Sequence, residues 1–497
     1  MKKTSVVNPY LIILLIMAVL ISPYLFFESM FMDGLIYAGL SKNLSLNIGT
    51  FWKPHFSKTS FQNFYEHPPL ALYLESIVFK ICGYSKVLPK IYSISTFILV
   101  GILVTKIWKL LSQKNSWIPL LVWLLIPIVR WATWNNLLEN TMSIFTTLAL
   151  LFYLTSKNNR FHYLFMILSG LSISLAFLTK GFVSLFPLMC PFLYWIIYDR
   201  DKIKPFVLDT LILILSCLAP IILLIYKIPS ATNFFTIYFK NQVLKSINNI
   251  TTVDSRFFII KSLLMELITP FVLVGILLFI NKNNNLKIKI KTTLKSSLFF
   301  FLLGSFGAFP IMISLKQSDF YIIATYPFFA ISLALLISPF IKIPLENVSF
   351  KNTIKIASTF IAMFLLITCI SSYINNNTIK QFRLSEKINN YNFLKNFYEP
   401  TRVKWGVTEI EIQKEKDVLL ISNKLKKNTT IFADTILKDD IILQSYFVLE
   451  KNISLNSINE NQSKYKLTLK ENIKKNYDNY TNIRLDTKIY ALLKKNN

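Results

Sequence analysis

Six ionisable residues stand where apolar segments meet polar loops: Asp33, Glu66, His67, Glu139, Lys180 and Lys316. Asp33 follows Phe31-Met32 and precedes Gly34, Tyr37 and Ala38. Glu66 and His67 lead into Pro68-Pro69-Leu70. Glu139 lies in Asn136-Leu137-Leu138-Glu139, Lys180 in Leu178-Thr179-Lys180-Gly181, and Lys316 in Ser314-Leu315-Lys316-Gln317 ahead of Tyr321 and Pro327. A carboxylate so placed can take a proton from an attacking hydroxyl or orient an acceptor. A lysine can hold a phosphate or the charge growing on a departing group. Ionisable side chains at membrane depth are costly and mark function by default.

Each residue also has a purely structural explanation. Asp33 suits the cap of an interfacial helix over 34–44. Glu66-His67 before Pro-Pro suits an ordinary helix entry. Glu139 near a helix start is favoured by the dipole, and either lysine can snorkel to a headgroup. His67 is one of three histidines, too few for a metal site built on imidazole.

The elements that must position these residues are membrane helices. Of 497 residues 53% are hydrophobic, which points to a polytopic α-helical membrane protein. The net charge of +28 comes from 54 Lys+Arg against 26 Asp+Glu. No nucleic-acid motif accompanies it, so the excess reads as cytoplasmic loops and contact with anionic headgroups. Cys82, Cys190, Cys217 and Cys369 all lie in apolar segments at spacings that suit neither a metal nor a disulfide framework.

Apolar runs at 9–27, 69–83, 89–105, 117–133, 137–155, 162–178, 182–198, 205–226, 257–280, 297–313, 320–341 and 353–373 predict roughly 11–13 spans. The first, preceded by Lys2 and Lys3, reads as an uncleaved anchor. Lysine- and arginine-rich loops near 106–114, 157–160, 200–204, 282–295 and 342–355 mark the cytoplasmic side. With the N-terminus cytoplasmic, segments 28–68, 134–138, 178–182, 227–256, 314–319 and 374–497 fall on the outer face. All six ionisable residues then gather on that face from separated places in the sequence. The expected division is a transmembrane domain over 1–373, with a long first outer loop at 28–68, and an extracytoplasmic domain over 374–497. That tail alternates β-prone runs (429–434, 465–469, 483–493) with helix-like ones (417–427, 439–450), which predicts a small α/β domain of accessory role.

In order and content, residues 9–340 resemble the GT-C fold glycosyltransferases, in particular the bacterial aminoarabinose (lipid A) transferase and protein O-mannosyltransferase families. Asp33-Gly34-x-x-Tyr37-Ala38 is similar to their acidic first-loop motif and Glu66-His67-Pro68-Pro69-Leu70 to their Pro-Pro return. Glu139 takes the place of a second acid, usually Asp; Leu178-Thr179-Lys180-Gly181 resembles a recurrent Thr-Lys-Gly turn; Lys316, Tyr321 and Pro327 resemble a late Lys–Tyr–Pro motif. His67 stands where the aminoarabinose transferases usually carry Lys. The resemblance implies an enzyme of the bacterial inner membrane that moves one sugar, with inversion, from a polyprenyl-phosphate donor to an acceptor at the outer face. The favoured acceptor is lipid A or another surface glycolipid. Asp33 and Glu139 would be the catalytic pair, with Tyr37, Glu66, His67, Lys180, Lys316 and Tyr321 binding substrate. The need for a divalent cation is left open. A protein acceptor is one alternative; a transporter of a lipid-linked saccharide is another, of a different class, and would show broken helices lining a path through both faces.

Overall fold

The computed structural model describes residues 30–248, 250–280, 286–341, 409–458, 460, 463–474 and 479–496. They form two compact units, one built from 65–71 and 90–341, the other from 30–64, 72–89 and 409–496. Residues 30–64 of the first loop therefore group with the C-terminal tail, whereas 65–68 belong to the first unit.

The first unit is helical. Among the described residues six stretches are long and apolar enough to cross a membrane: Leu88–Leu110, His162–Ser184, Ile203–Lys227, Phe258–Ile280, Thr293–Ile313 and Asp319–Phe340. Trp117–Leu124 and Pro127–Trp134 make a seventh if taken together, but they bend by 84°. The expected span over 117–133 is thus broken, because Ile126 is extended and Pro127 starts a new helix without needing an N–H partner. The expected span over 182–198 is likewise interrupted by 3-10 turns at Gly181–Ser184 and Phe186–Met189 before the helix Cys190–Tyr198. Leu70–Cys82 has 13 residues, about 20 Å of rise, too short to span the ~30 Å hydrocarbon layer. The expected spans at 9–27 and 353–373 lie outside the described residues.

Burial sorts these helices. In Tyr326–Ile337 the side chains are buried on every side, as in a central core helix. Ile203–Lys227 instead leaves Leu211, Leu215, Ile222 and Leu223 exposed, an apolar face suited to lipid. Leu138–Ser156 and His162–Lys180 form an antiparallel hairpin tied along its length. His162 Nδ1 meets the Ser156 carbonyl at 3.0 Å beside the turn, the Ser169 hydroxyl donates to the Ala149 carbonyl at 2.8 Å midway, and Lys180 pairs with Glu139 at the far end. Nineteen helical residues rise about 28 Å, so the polar ends of the hairpin lie roughly a hydrocarbon thickness apart.

The second unit holds a five-stranded sheet in the order Ser454–Asn456, Thr430–Ala433, Tyr465–Leu469, Tyr490–Lys495, Tyr480–Ile483. The first three strands run parallel and the last two pairings are antiparallel. The run read as one strand over 483–493 is in fact the end of one strand and most of the next, joined by a short connection. The helices Glu409–Asn423 and Ile441–Lys451 supply Val418, Ile421, Leu443 and Phe447 to the core, and Met32–Ser45 adds Leu35 and Ala38. Buried Asp417 accepts from the backbone N–H groups of Lys488, Ile489 and Tyr490, which fixes the start of the strand at 490. Lys42 donates to the carbonyls of Val448 and Leu449 at the C-terminal end of Ile441–Lys451, where a cation satisfies orphan acceptors and the helix dipole together. Burial there lowers its pKa to about 8.

Candidate active site

One cavity of about 470 Å³ opens in the first unit and gathers residues from four of the segments that the loop charges assign to a common face. Glu66 and His67 come from the entry to Leu70–Cys82, Lys180 and Phe182 from the end of the hairpin, Tyr238 and Gln242 from the 229–248 region, and Ser314 and Lys316 from the turn before Asp319–Thr325. Tyr321 completes the polar end. The remaining wall is apolar and includes Val183, Phe186, Met189, Phe306, Pro310 and Ile311.

Among the described residues Lys180 and Glu139 form the most deeply placed charge pair, 5% and 0% exposed. Lys180 ends its helix, and the chain can turn there because Gly181 adopts φ +78. A Cβ at Gly181 would collide with the Tyr238 hydroxyl, so the turn and the aromatic side chain facing it require glycine together. The Lys180 ammonium also lies 5.1 Å from the Tyr321 ring centre and 5.8 Å from that of Phe320, within cation–π range. The second Glu139 oxygen, Oε2, is buried with no hydrogen-bond partner.

Lys316 sits on a turn held by the side chains of Thr252, Ser314 and buried Gln317. Gln317 donates to the carbonyls of Arg256 and Ser314 at 3.0 and 2.7 Å and accepts from Ile259 N–H at 2.9 Å, using the whole amide. Lys316 Nζ then donates to Gln242 Oε1 at 3.0 Å. Gln242 also hydrogen-bonds the Glu66 carboxylate, so one amide stands between a cation and an anion. Burial pushes the Glu66 carboxyl above its usual range, with Lys316 and Gln242 opposing the shift. His67 is pushed well below its ordinary value by burial and then by the nearby Lys180 and Lys316, so its imidazole is neutral at pH 7.

The cavity thus brings together Glu66, His67, Lys180, Lys316 and Tyr321, and Glu139 is joined to it through Lys180. Asp33 and Tyr37 lie in the other unit, on Met32–Ser45. Phe31 takes the N-cap position, so Asp33 is not the capping residue; it is half-buried in the first turn, where the dipole favours a carboxylate. Tyr37 is buried edge-on to Phe64, ring centres 6.4 Å apart. Gln242 and Tyr238 were not singled out by type or spacing. Gln242 reaches the cavity because Phe239–Leu244 winds as a π-helix, a register change that the sequence does not announce. Among the described residues no group of three or more His, Cys, Asp or Glu side chains could hold a metal ion.

Fold and burial define a multi-pass membrane protein of GT-C-like fold with a small C-terminal sheet domain, as the resemblance in sequence implies. The similar solved structures are those of ArnT from Cupriavidus metallidurans. The form bound to undecaprenyl phosphate matches with a TM-score of 0.62 at 13% identity, over 98% of this chain and 97% of that one. The apo form matches with a TM-score of 0.61 at 12% identity, over 97% of each. No protein-family profile and no curated protein sequence matches the chain.

Proposed function

We propose that the protein is a membrane glycosyltransferase that moves one sugar from a polyprenyl-phosphate carrier to an acceptor at the outer face, with lipid A or another surface glycolipid as the favoured acceptor. The observation that carries this reading is the composition of the cavity. Lys180, Lys316, His67, Tyr238 and Tyr321 line one part together with Glu66 and Gln242, and an aromatic and aliphatic wall lines the rest. That is the chemistry of a phosphate on a long isoprenoid chain. One of the solved structures of like fold is of ArnT bound to undecaprenyl phosphate, which supports the same donor class here.

In the proposed reaction the acceptor oxygen attacks the anomeric carbon as the bond from that carbon to the carrier phosphate breaks. The polyprenyl phosphate leaves with the electron pair, and the sugar inverts. Lys316, already aimed by Gln242, and Lys180 meet the charge that develops on the departing phosphate. Glu139 holds Lys180 at that depth. With a hydroxyl acceptor, Asp33 takes its proton as general base. With a phosphate acceptor no proton is lost, and Asp33 orients the acceptor or the donor sugar. Neutral His67 donates a hydrogen bond to the phosphate. The positive loops around 106–114, 157–160 and 200–204 support a cytoplasmic placement of the opposite end, which puts the cavity toward the outside.

The test is glycolipid mass spectrometry of the host envelope with wild type, a deletion and Asp33→Asn. Loss of one sugar-sized mass from lipid A or another envelope glycolipid in both mutants is the expected result. An unchanged glycan profile in the deletion strain would overturn the reading.

A further inference from the structure

At the other end of the hairpin, some 28 Å of helix from Lys180, lies a second polar assembly that takes no part in the proposed transfer. Asp209, buried on Ile203–Lys227, accepts from Lys157 Nζ at 2.5 Å and meets His162 Nε2 at 2.7 Å. Lys157 also lies 4.7 and 4.5 Å from the ring centres of Tyr153 and Tyr194. Its charge is therefore satisfied inside the protein. Beside it is a chamber of about 350 Å³ whose polar lining is mostly neutral: Ser112, Asn158, Asn159 and the Tyr198–Ser296 hydroxyl pair.

Leu110 and Thr155 are shared between this chamber and an adjoining groove of about 400 Å³. The groove floor is Leu151, Phe152 and Phe165, and its rim is Lys106 and Lys109. These lysines are one helical turn apart on Leu88–Leu110, on the same face and exposed. Among the described residues neither has a carboxylate within salt-bridge distance.

We propose that this groove and chamber bind one anionic glycerophospholipid with a polyol headgroup, such as phosphatidylglycerol, from the leaflet opposite the active-site cavity. An acyl chain lies on Leu151, Phe152 and Phe165. The phosphate sits between Lys106 and Lys109, and the headgroup hydroxyls reach Asn158, Asn159 and Ser112. Charge selects the lipid. Two uncompensated cations at the rim favour a phosphate with no cation attached, and the Lys157–Asp209 pair adds no net charge that would hold a choline or ethanolamine head. Basic pockets between spans on the cytoplasmic side bind anionic headgroups for the same reason.

The test is native mass spectrometry of the full-length, delipidated protein in detergent, with phosphatidylglycerol or phosphatidylcholine added. Wild type is expected to retain one phosphatidylglycerol and to release phosphatidylcholine at the same activation energy. Lys106→Glu with Lys109→Glu is expected to weaken phosphatidylglycerol about tenfold or more, while undecaprenyl phosphate is retained as in wild type. Leu151→Trp, which fills the groove and leaves both lysines in place, is expected to weaken it as well and guards against a fold defect in the charge variant. Equal retention of the two lipids by wild type, or undiminished phosphatidylglycerol binding in both variants, would overturn the proposal without touching the transferase reading.

Discussion

Glu139 and Lys180 close one end of a single helical hairpin, each contributed by the terminal turn of its own helix, and both are withdrawn from solvent. A lysine on the wall of the cavity is thereby held by a carboxylate behind it. The arrangement holds an ion-paired ammonium at depth, facing Tyr321 and the open space.

Removing one partner strands the other. Lys180→Met is expected to destabilise the protein by about 3–5 kcal/mol, the cost of an uncompensated buried charge, seen as a fall in Tm in detergent. Glu139→Gln combined with Lys180→Met restores much of that stability but not transfer. If the double variant regains transfer as well as Tm, the lysine has no part in the chemistry.

Gln242 aims Lys316 without having charge of its own. Gln242→Ala is expected to raise KM for the donor several-fold with a smaller change in kcat, whereas Lys316→Ala lowers both kcat and kcat/KM. Steady-state kinetics with a polyprenyl-phosphate sugar separate the two, and equal effects would make Gln242 a phosphate ligand in its own right.

The raised pKa of Glu66 has a definite sign in stability. The folded protein binds a proton more tightly here than the unfolded chain does, so this group's contribution falls as pH rises from the unfolded value of about 4.5 through the folded one. Glu66→Gln removes the titration. The Tm of Glu66→Gln minus that of wild type should therefore widen in favour of the variant as pH rises above about 4.5, then level off. A gap that stays constant from pH 4 to pH 8 would contradict the assignment.

Gly181 meets two constraints at once, a left-handed φ and the proximity of the Tyr238 hydroxyl. Gly181→Ala is expected to cost more than about 1 kcal/mol. Combining it with Tyr238→Phe relieves the clash but not the backbone strain, so partial recovery of Tm is the expected outcome.

Asp33→Asn keeps the size and polarity of the side chain in the first turn of its helix. Insertion and Tm should match wild type while transfer is abolished. Full transfer by this variant would remove Asp33 from the chemistry.

By itself the sequence determined the fold class and the kinds of residue available for chemistry. Apolar runs, loop charges and the order of short motifs are local properties, and they are sufficient for a membrane bundle with a small α/β tail. They also placed Glu66, Lys180 and Lys316 on a common face, because topology fixes the side of each loop before any contact is made. Tertiary structure decided the partnerships. Lys180 looked like a cation awaiting a lipid phosphate, yet its first partner is Glu139, 41 residues earlier, brought near by hairpin packing. Gln242 depends on a π-turn, and the break at Ile126 on a bend between two short helices. Residues 30–64 group with the C-terminal domain because Leu35 and Ala38 complete that domain's core, a long-range burial that no local pattern encodes.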